Sequence, residues 1–201
     1  ISTHYPYFIP DSFKVQHPEI KNNTDMAVAY FDSALRTFFS EAYHSPSFRN
    51  TIFVLVADHT PPHEDHPGYN RNAYLGSRIP IVFYTPDSSL HGEYDSVFQQ
   101  IDIIPTIADY LGIKENLTTF GQSIWDTSHT RLAFMKRENY YQAISENHLI
   151  QYSNHLDAAF AIYNIPQDSL LRKNTVSNAK TFPVYLNRLK AIIQLHHNAI
   201  Y

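Results

Sequence analysis

An aspartate and a histidine stand next to each other where an apolar run stops. The run is Thr51-Ile52-Phe53-Val54-Leu55-Val56-Ala57, and the pair is Asp58-His59, followed by Thr60 and Pro61-Pro62. A run this rich in β-branched residues reads as a strand buried on both faces. Carboxylate plus imidazole is a metal-ligand pair, and in open α/β sheets chemistry gathers at the carboxyl ends of strands. Along a regular strand two neighbours point to opposite faces. At a strand's end the backbone can turn, so both can reach one ion. We expect the side chains of Asp58 and His59 to converge within a few Å. The competing reading is a strand-to-loop junction with two solvated polar residues.

Further groups of the same chemistry lie on either side. The loop from His59 to Ser77 is polar and carries His63-Glu64-Asp65-His66. His4 sits between small polar residues and the segment Tyr5-Pro6-Tyr7-Phe8-Ile9-Pro10, which reads as a loop or irregular strand. A histidine so placed is, by itself, more often a surface or packed residue. For Glu93, Asp95 and Asp102, solvated or capping roles outweigh a ligand role.

The bulk composition narrows the options. The chain has 201 residues, enough for one sizeable core with a small second lobe. Its formal net charge is −4, so it lacks the basic footprint of a nucleic-acid partner. Its 12 histidines fit a metal or phosphoryl site without proving one. Cysteine is absent, which excludes a disulfide framework and a thiolate metal site. No apolar run approaches the roughly 18 residues of a membrane span. No signal peptide is read at Ile1, and the missing initiator Met leads us to expect a fragment or processed form of a soluble segment.

The elements that must position these groups follow in order. Asn23-Thr24-Asp25 offers N-cap chemistry for a helix over Met26–Phe39, with Tyr30, Ala34, Leu35, Phe38 and Phe39 on one apolar face. His44-Ser45-Pro46 ends it. Ile79-Pro80-Ile81-Val82-Phe83-Tyr84 reads as a second buried strand. Gln100 to Gly112 has helix punctuation: Asp102 can cap, Pro105 suits the first turn, and Gly112 is a stop. This order argues an α/β fold. Past Trp125 the pattern changes. Leu132–Met135, Tyr140–Ile144, His148–Tyr152 and Ala159–Tyr163 are short strands with turns at Glu146-Asn147 and Asn154-His155, an antiparallel meander. A helix from Val184 to Ile200 follows, with Leu186, Leu189, Ile192, Ile193 and His196 near one face. We divide the chain into 1–125 and 126–201, two parts of one catalytic domain.

The ordered set of motifs resembles the sulfatases, and more narrowly the lipoteichoic acid synthase branch of the alkaline phosphatase superfamily. The resemblance rests on Ala57-Asp58-His59-Thr60, His66-Pro67, Ile79–Tyr84 before Pro86, and Ile101-Asp102-Ile103-Ile104-Pro105-Thr106. His4-Tyr5-Pro6-Tyr7 is similar to the upstream histidine segment of that branch, and Ile162-Tyr163-Asn164-Ile165-Pro166-Gln167-Asp168 to a strand near sulfatase C-termini. It implies the C-terminal part of an α/β sandwich, with the small antiparallel meander and the terminal helix. By resemblance Asp58 and His59 are ligands of a divalent metal ion (Mn, Mg, Ca or Zn). His4 contacts the phosphate or sulfate group or assists the leaving group, in the same cleft as His59, and His66 lines the substrate pocket. The implied partners are a phosphate- or sulfate-ester substrate, a lipid head group among the candidates, and an N-terminal half of the same protein. The implied location is the extracytoplasmic face of a bacterial inner membrane.

The departures from the pattern matter as much. The family carries an acidic metal ligand and a Thr, Ser or formylglycine nucleophile in an N-terminal half, and nothing before His4 could house them. Ser45-Pro46-Ser47-Phe48-Arg49 has the wrong spacing for the nucleophile motif. We therefore expect the C-terminal portion of a metal-dependent phosphoryl- or sulfuryl-ester transferase or hydrolase, inactive alone. The alternatives are a non-catalytic module in which His59, His63 and His66 gather a transition metal, and a fragment that pairs through an exposed sheet edge.

Overall fold

The computed structural model describes residues 3–60, 72, 74–115, 118–176 and 183–200. The chain divides into two compact units, Ile1–Phe53 with Phe83–His91, and Val54–Val82 with Gly92–Tyr201. The boundary drawn at residue 125 from the sequence falls inside the second unit. The fold is mixed α/β with an antiparallel meander and a C-terminal helix. Among the described residues no helix is long and apolar enough to cross a membrane.

The first unit is built on two helices, α1 (Asp11–Gln16) and α2 (Asn23–Ala42). The cap of α2 is Asn22, one residue earlier than the sequence suggested. Asn22 is extended, so its side chain folds back over the first turn and accepts from the N–H groups of Thr24 at 2.7 Å and Asp25 at 3.4 Å. Met26 and Ala27 bury against Ile9, with Tyr7, Phe13, Ile20 and Tyr30 packed around them. Near the other end Phe39 meets Phe53 and Tyr84 edge-on, with ring centroids 5.1 and 5.5 Å away.

The single apolar face read for α2 is therefore split. Tyr30 and Phe39 turn inward, while Ala34 and Phe38 are exposed. Val28, Phe31 and Phe38 are about half exposed and, with Leu35, form a stripe at spacings of three and four. A helix with apolar residues on two sides has one side left over once its neighbours are packed. The strands β1 (Phe53–Val56) and β2 (Ile81–Tyr84) form a two-stranded sheet. The expectation that β1 is buried on both faces does not hold. Its residues are only partly buried, Val56 is exposed, and Val82 on β2 is half exposed. A two-stranded sheet leaves its strands without the flanking layers that such a composition suits.

In the second unit a 3₁₀ turn, Gln100–Asp102, runs directly into α3 (Ile103–Tyr110). Pro105 occupies the first turn, where a missing N–H costs nothing, and Gly112 ends the helix at φ 68°. The strands β3 (Ala133–Lys136), β4 (Tyr141–Ser145), β5 (His148–Ser153) and β6 (Ala158–Asn164) form an antiparallel meander in that order. Helix α4 (Pro183–Ile200) lays Leu189 into the core of Leu132, Ala143 and Tyr152, flanked by Leu186, Ile192 and Ile193. A polar clasp joins the same elements. The Tyr152 hydroxyl donates to Asp157 at 2.6 Å, and Lys190 of α4 reaches the same carboxylate oxygen at 2.6 Å. Burial, with help from Asp157, pushes the Tyr152 phenol up to about 12.

Both outer strands of the meander have partners. The Gln99 side chain donates to the Leu132 carbonyl and accepts from the Phe134 N–H, as a neighbouring strand would. Along β6, Asn174 accepts from the Ile162 N–H and donates to the Phe160 carbonyl, while Thr175 donates to the Ile162 carbonyl through its N–H and its hydroxyl. The loop after α3 returns across the 3₁₀ turn at Gly121. A Cβ built there would lie 2.0 Å from the Ile101 carbonyl oxygen, so glycine is required by contact rather than by φ.

Gly121→Ala is accordingly expected to destabilise the chain by about 1–3 kcal/mol, the cost of forcing backbone apart in a packed region. Urea unfolding checks it. A midpoint equal to that of the parent would show that Ile101 yields without strain.

Candidate functional site

Asp58 and His59 leave β1 in a bend that is fixed at several points. The Ala57 N–H reaches the Pro80 carbonyl at 3.4 Å, the Ala57 carbonyl accepts from the Gln100 side chain at 2.9 Å, and the Thr60 hydroxyl donates to the Gly76 carbonyl at 2.8 Å. Within the bend the His59 N–H donates to Asp58 Oδ1 at 2.8 Å. The turn thus does what the sequence required of it. It brings two adjacent side chains together, with Asp58 Oδ2 and His59 Nε2 3.5 Å apart.

The ring of His59 is oriented by its own backbone neighbour. His59 Nδ1 lies 3.0 Å from the Thr60 carbonyl, which can only accept, so Nδ1 carries the hydrogen. A neutral imidazole then turns a lone pair at Nε2 toward the Asp58 carboxylate. Two acceptors at 3.5 Å repel unless a proton or a cation lies between them. Both side chains are largely open to solvent, so an ion could reach them without opening the structure. The donor set, one carboxylate oxygen and the Nε2 of an imidazole whose Nδ1 is held by a backbone carbonyl, suits a divalent metal. Among the described residues no group of three histidines, aspartates or glutamates gathers.

Of the other candidates, His4 is an exposed residue of the first unit, with Nδ1 2.6 Å from the Tyr5 carbonyl. His63 and His66 lie outside the described residues. Asp102 is no solvated ligand. It is buried, and it caps by a route the sequence did not indicate. Instead of covering α3 it reaches back to the Gln99 N–H at 3.1 Å and across to the Gln122 N–H at 2.8 Å, with Arg131 3.6 Å away. Gln99 and Gln100, on which the frame of the bend depends, were missed. Side-chain amides have no periodic signature, and their partners lie 35 and 43 residues away.

Comparison with known proteins follows the same outline. The sequence pattern of the sulfatase family matches residues 1–113. An arylsulfatase of Clostridium perfringens (strain 13 / Type A) is 23% identical over an alignment of 184 positions that covers 83% of this chain and 38% of that protein. A protein in the alkaline phosphatase superfamily from Vibrio parahaemolyticus superposes with a TM-score of 0.71 at 22% identity, over 98% of this chain and 48% of its own. Ps i-CgsB, solved with k-i-k-neocarrahexaose, gives 0.69 at 16% identity over 94% of this chain and 47% of its own. At these identities the structural likeness is one of fold. The chain spans about half the length of those structures, and less of the arylsulfatase.

Asp102, which anchors the frame around the bend, should leave a mark on the pH dependence of stability. Burial is the largest influence and raises its carboxyl above the ordinary value of 3.8, against the pull of the Gln122 and Gln99 amides and the Arg131 charge. The folded chain then holds this proton more tightly than the unfolded chain. Its contribution is full below 3.8 and is lost as pH rises through the raised folded value. Asp102→Asn cannot titrate, and its NH₂ faces one of the two N–H groups, a loss of about 1–3 kcal/mol. Urea midpoints from pH 3.5 to 7 are expected to show the variant's deficit largest at the acid end. A deficit that grows toward pH 7 contradicts the raised carboxyl.

Proposed function

The chain belongs to the sulfatase family, and from that premise we propose that it forms the C-terminal portion of a metal-dependent enzyme acting on sulfate or phosphate esters. The observation that carries the reading is the Asp58–His59 pair at the end of β1, with Oδ2 and Nε2 3.5 Å apart and Nδ1 tied to the Thr60 carbonyl. Asp58 and His59 would hold a divalent ion. Such an ion, when bound, neutralises ester oxygens and lowers the pKa of a nucleophile.

The chain's own residues supply the rest of their share. Thr60 keeps the His59 hydrogen on Nδ1 and so leaves Nε2 for the ion. His4 would contact the sulfuryl or phosphoryl group or, as an imidazolium with Nδ1 on the Tyr5 carbonyl, give its Nε2 proton to the leaving oxygen. His66 would line the same pocket. Two ligands fall short of a catalytic zinc site, which usually takes three plus water. We therefore assign the missing acidic ligand and the nucleophile to a preceding half of the protein, on the extracytoplasmic side of the membrane. The half-exposed stripe of Val28, Phe31, Leu35 and Phe38 and the exposed Val56 and Val82 are consistent with a chain that has more to pack against. Residues 126–201, with the meander and α4, would be a smaller lobe of the same catalytic domain. Sulfate esters are favoured over phosphoglycerol transfer because the 23%-identical relative is an arylsulfatase.

The test compares the 201-residue chain with a polypeptide extended to the length of its relatives. Each is assayed on p-nitrophenyl sulfate, p-nitrophenyl phosphate and a phosphatidylglycerol donor, with manganese, magnesium, calcium or zinc. The short chain is expected to give no turnover. The long one is expected to turn over the sulfate ester and to lose more than about 100-fold in kcat/KM on Asp58→Ala or His59→Ala, exceeding the usual loss when only a group behind a metal ligand is changed. Turnover by the short chain that Asp58→Ala removes would show a complete site within these residues. Activity of the long chain that survives both substitutions would overturn the ligand assignment.

A further inference from the structure

The Ala57–Asp58 peptide lies one residue past the end of β1, where the strand ladder no longer fixes the backbone. Its carbonyl is held instead by a side chain from a residue 43 positions later, with Gln100 Nε2 2.9 Å from Ala57 O. A peptide unit is planar, so fixing the carbonyl of Ala57 also fixes the direction in which the N–Cα bond of Asp58 leaves. That direction sets the point from which the Asp58 side chain starts, and so limits which rotamers can bring its carboxylate to His59.

Gln100 can hold this peptide because its own backbone is held. Gln100 opens the 3₁₀ turn that Asp102 closes by accepting from the Gln99 N–H, and Asp102 is fixed in turn by the Gln122 N–H. Gln99 is also attached at two points around the start of β3, Leu132 O just before it and Phe134 N within it. The two glutamines thus share one rigid turn, with one side chain directed to the meander and the other to the bend. On the far side of the bend Thr60 is fixed to Gly76.

We propose that Gln100 is the positioning residue of the Asp58–His59 pair, its amide setting the peptide plane from which the carboxylate is directed toward His59 Nε2. This rests on the reading of Asp58 and His59 as ion ligands, and the test separates the two. Gln100→Met keeps the length and neutrality of the side chain and removes its donor. Gln100→Glu keeps the shape and replaces the donor with an acceptor.

The first readout needs no metal. In the 201-residue chain, the Hα–Hβ couplings of Asp58 and the NOE between its Hβ protons and the His59 Hε1 proton report the rotamer that pairs the two side chains. Both variants are expected to show averaged couplings and a lost NOE, with a melting temperature within about 1 °C of the parent, since one exposed hydrogen bond contributes little to stability. Couplings and NOE unchanged from the parent overturn the positioning role, whatever any metal does. The second readout is titration with cobalt(II), followed by the paramagnetic shift of the His59 ring protons. Gln100→Met is expected to raise the midpoint about 10-fold, the loss usual when a group that supports a metal ligand is removed. A midpoint equal to the parent's also counts against the proposal. If Asp58→Ala leaves the parent's cobalt response intact, the ligand reading fails, and the metal-free couplings still decide the role of Gln100.

Discussion

A buried carboxylate must have its oxygens engaged, and much of the second unit is arranged around that requirement at Asp102. Its two oxygens accept from the backbone of Gln99 and Gln122, and Arg131, itself buried, stands beside it. Leaving any of these unmatched would cost far more than the bond returns, so the groups have to come together or not at all. The loop at Gly121 therefore lies against Ile101, close enough that only hydrogen fits at its α-carbon. Arg131 in turn donates to the carbonyls of Gln122 and Ser123. Its own carbonyl accepts from Ser145 of β4. A chain of satisfied polar groups thus runs from the turn before α3 into the meander, beside its apolar core.

Most of the meander was legible because short apolar and aromatic runs separated by turn residues are a local signal. The four strands and the turns at Glu146-Asn147 and Asn154-His155 lie where the pattern put them. The face of α4 was legible for the same reason at a period near four. The convergence of Asp58 and His59 followed from one local fact, that a strand's end releases its neighbours from opposite faces. Their role as ligands is a matter of chemistry that spacing alone does not carry.

What the sequence hid was non-local. Which side of α2 is covered depends on segments far along the chain, so Phe38 and Phe39, adjacent and both edge-on to Phe53, differ in exposure. The same holds for β1, whose composition suits deep burial while Val56 stays exposed. The cap of α2 moved by one residue because two asparagines in a row can each serve, and backbone angles rather than residue type select Asn22. Asp102 read as a cap of the helix after it and turned out to hold the segment before it and a loop 20 residues on.

The partners found along both outer strands of the meander determine how copies of this chain can meet. A strand arriving beside β6 finds the N–H of Ile162 and the carbonyls of Phe160 and Ile162 already taken by Asn174 and Thr175, and one arriving beside β3 finds Gln99 in its place. Fibre growth by strand addition depends on unspent backbone groups in register, and here the newcomer would first have to displace side chains tethered to the same polypeptide. Strand addition at these positions thus has to break side-chain bonds made within the same polypeptide before new ladder bonds can form.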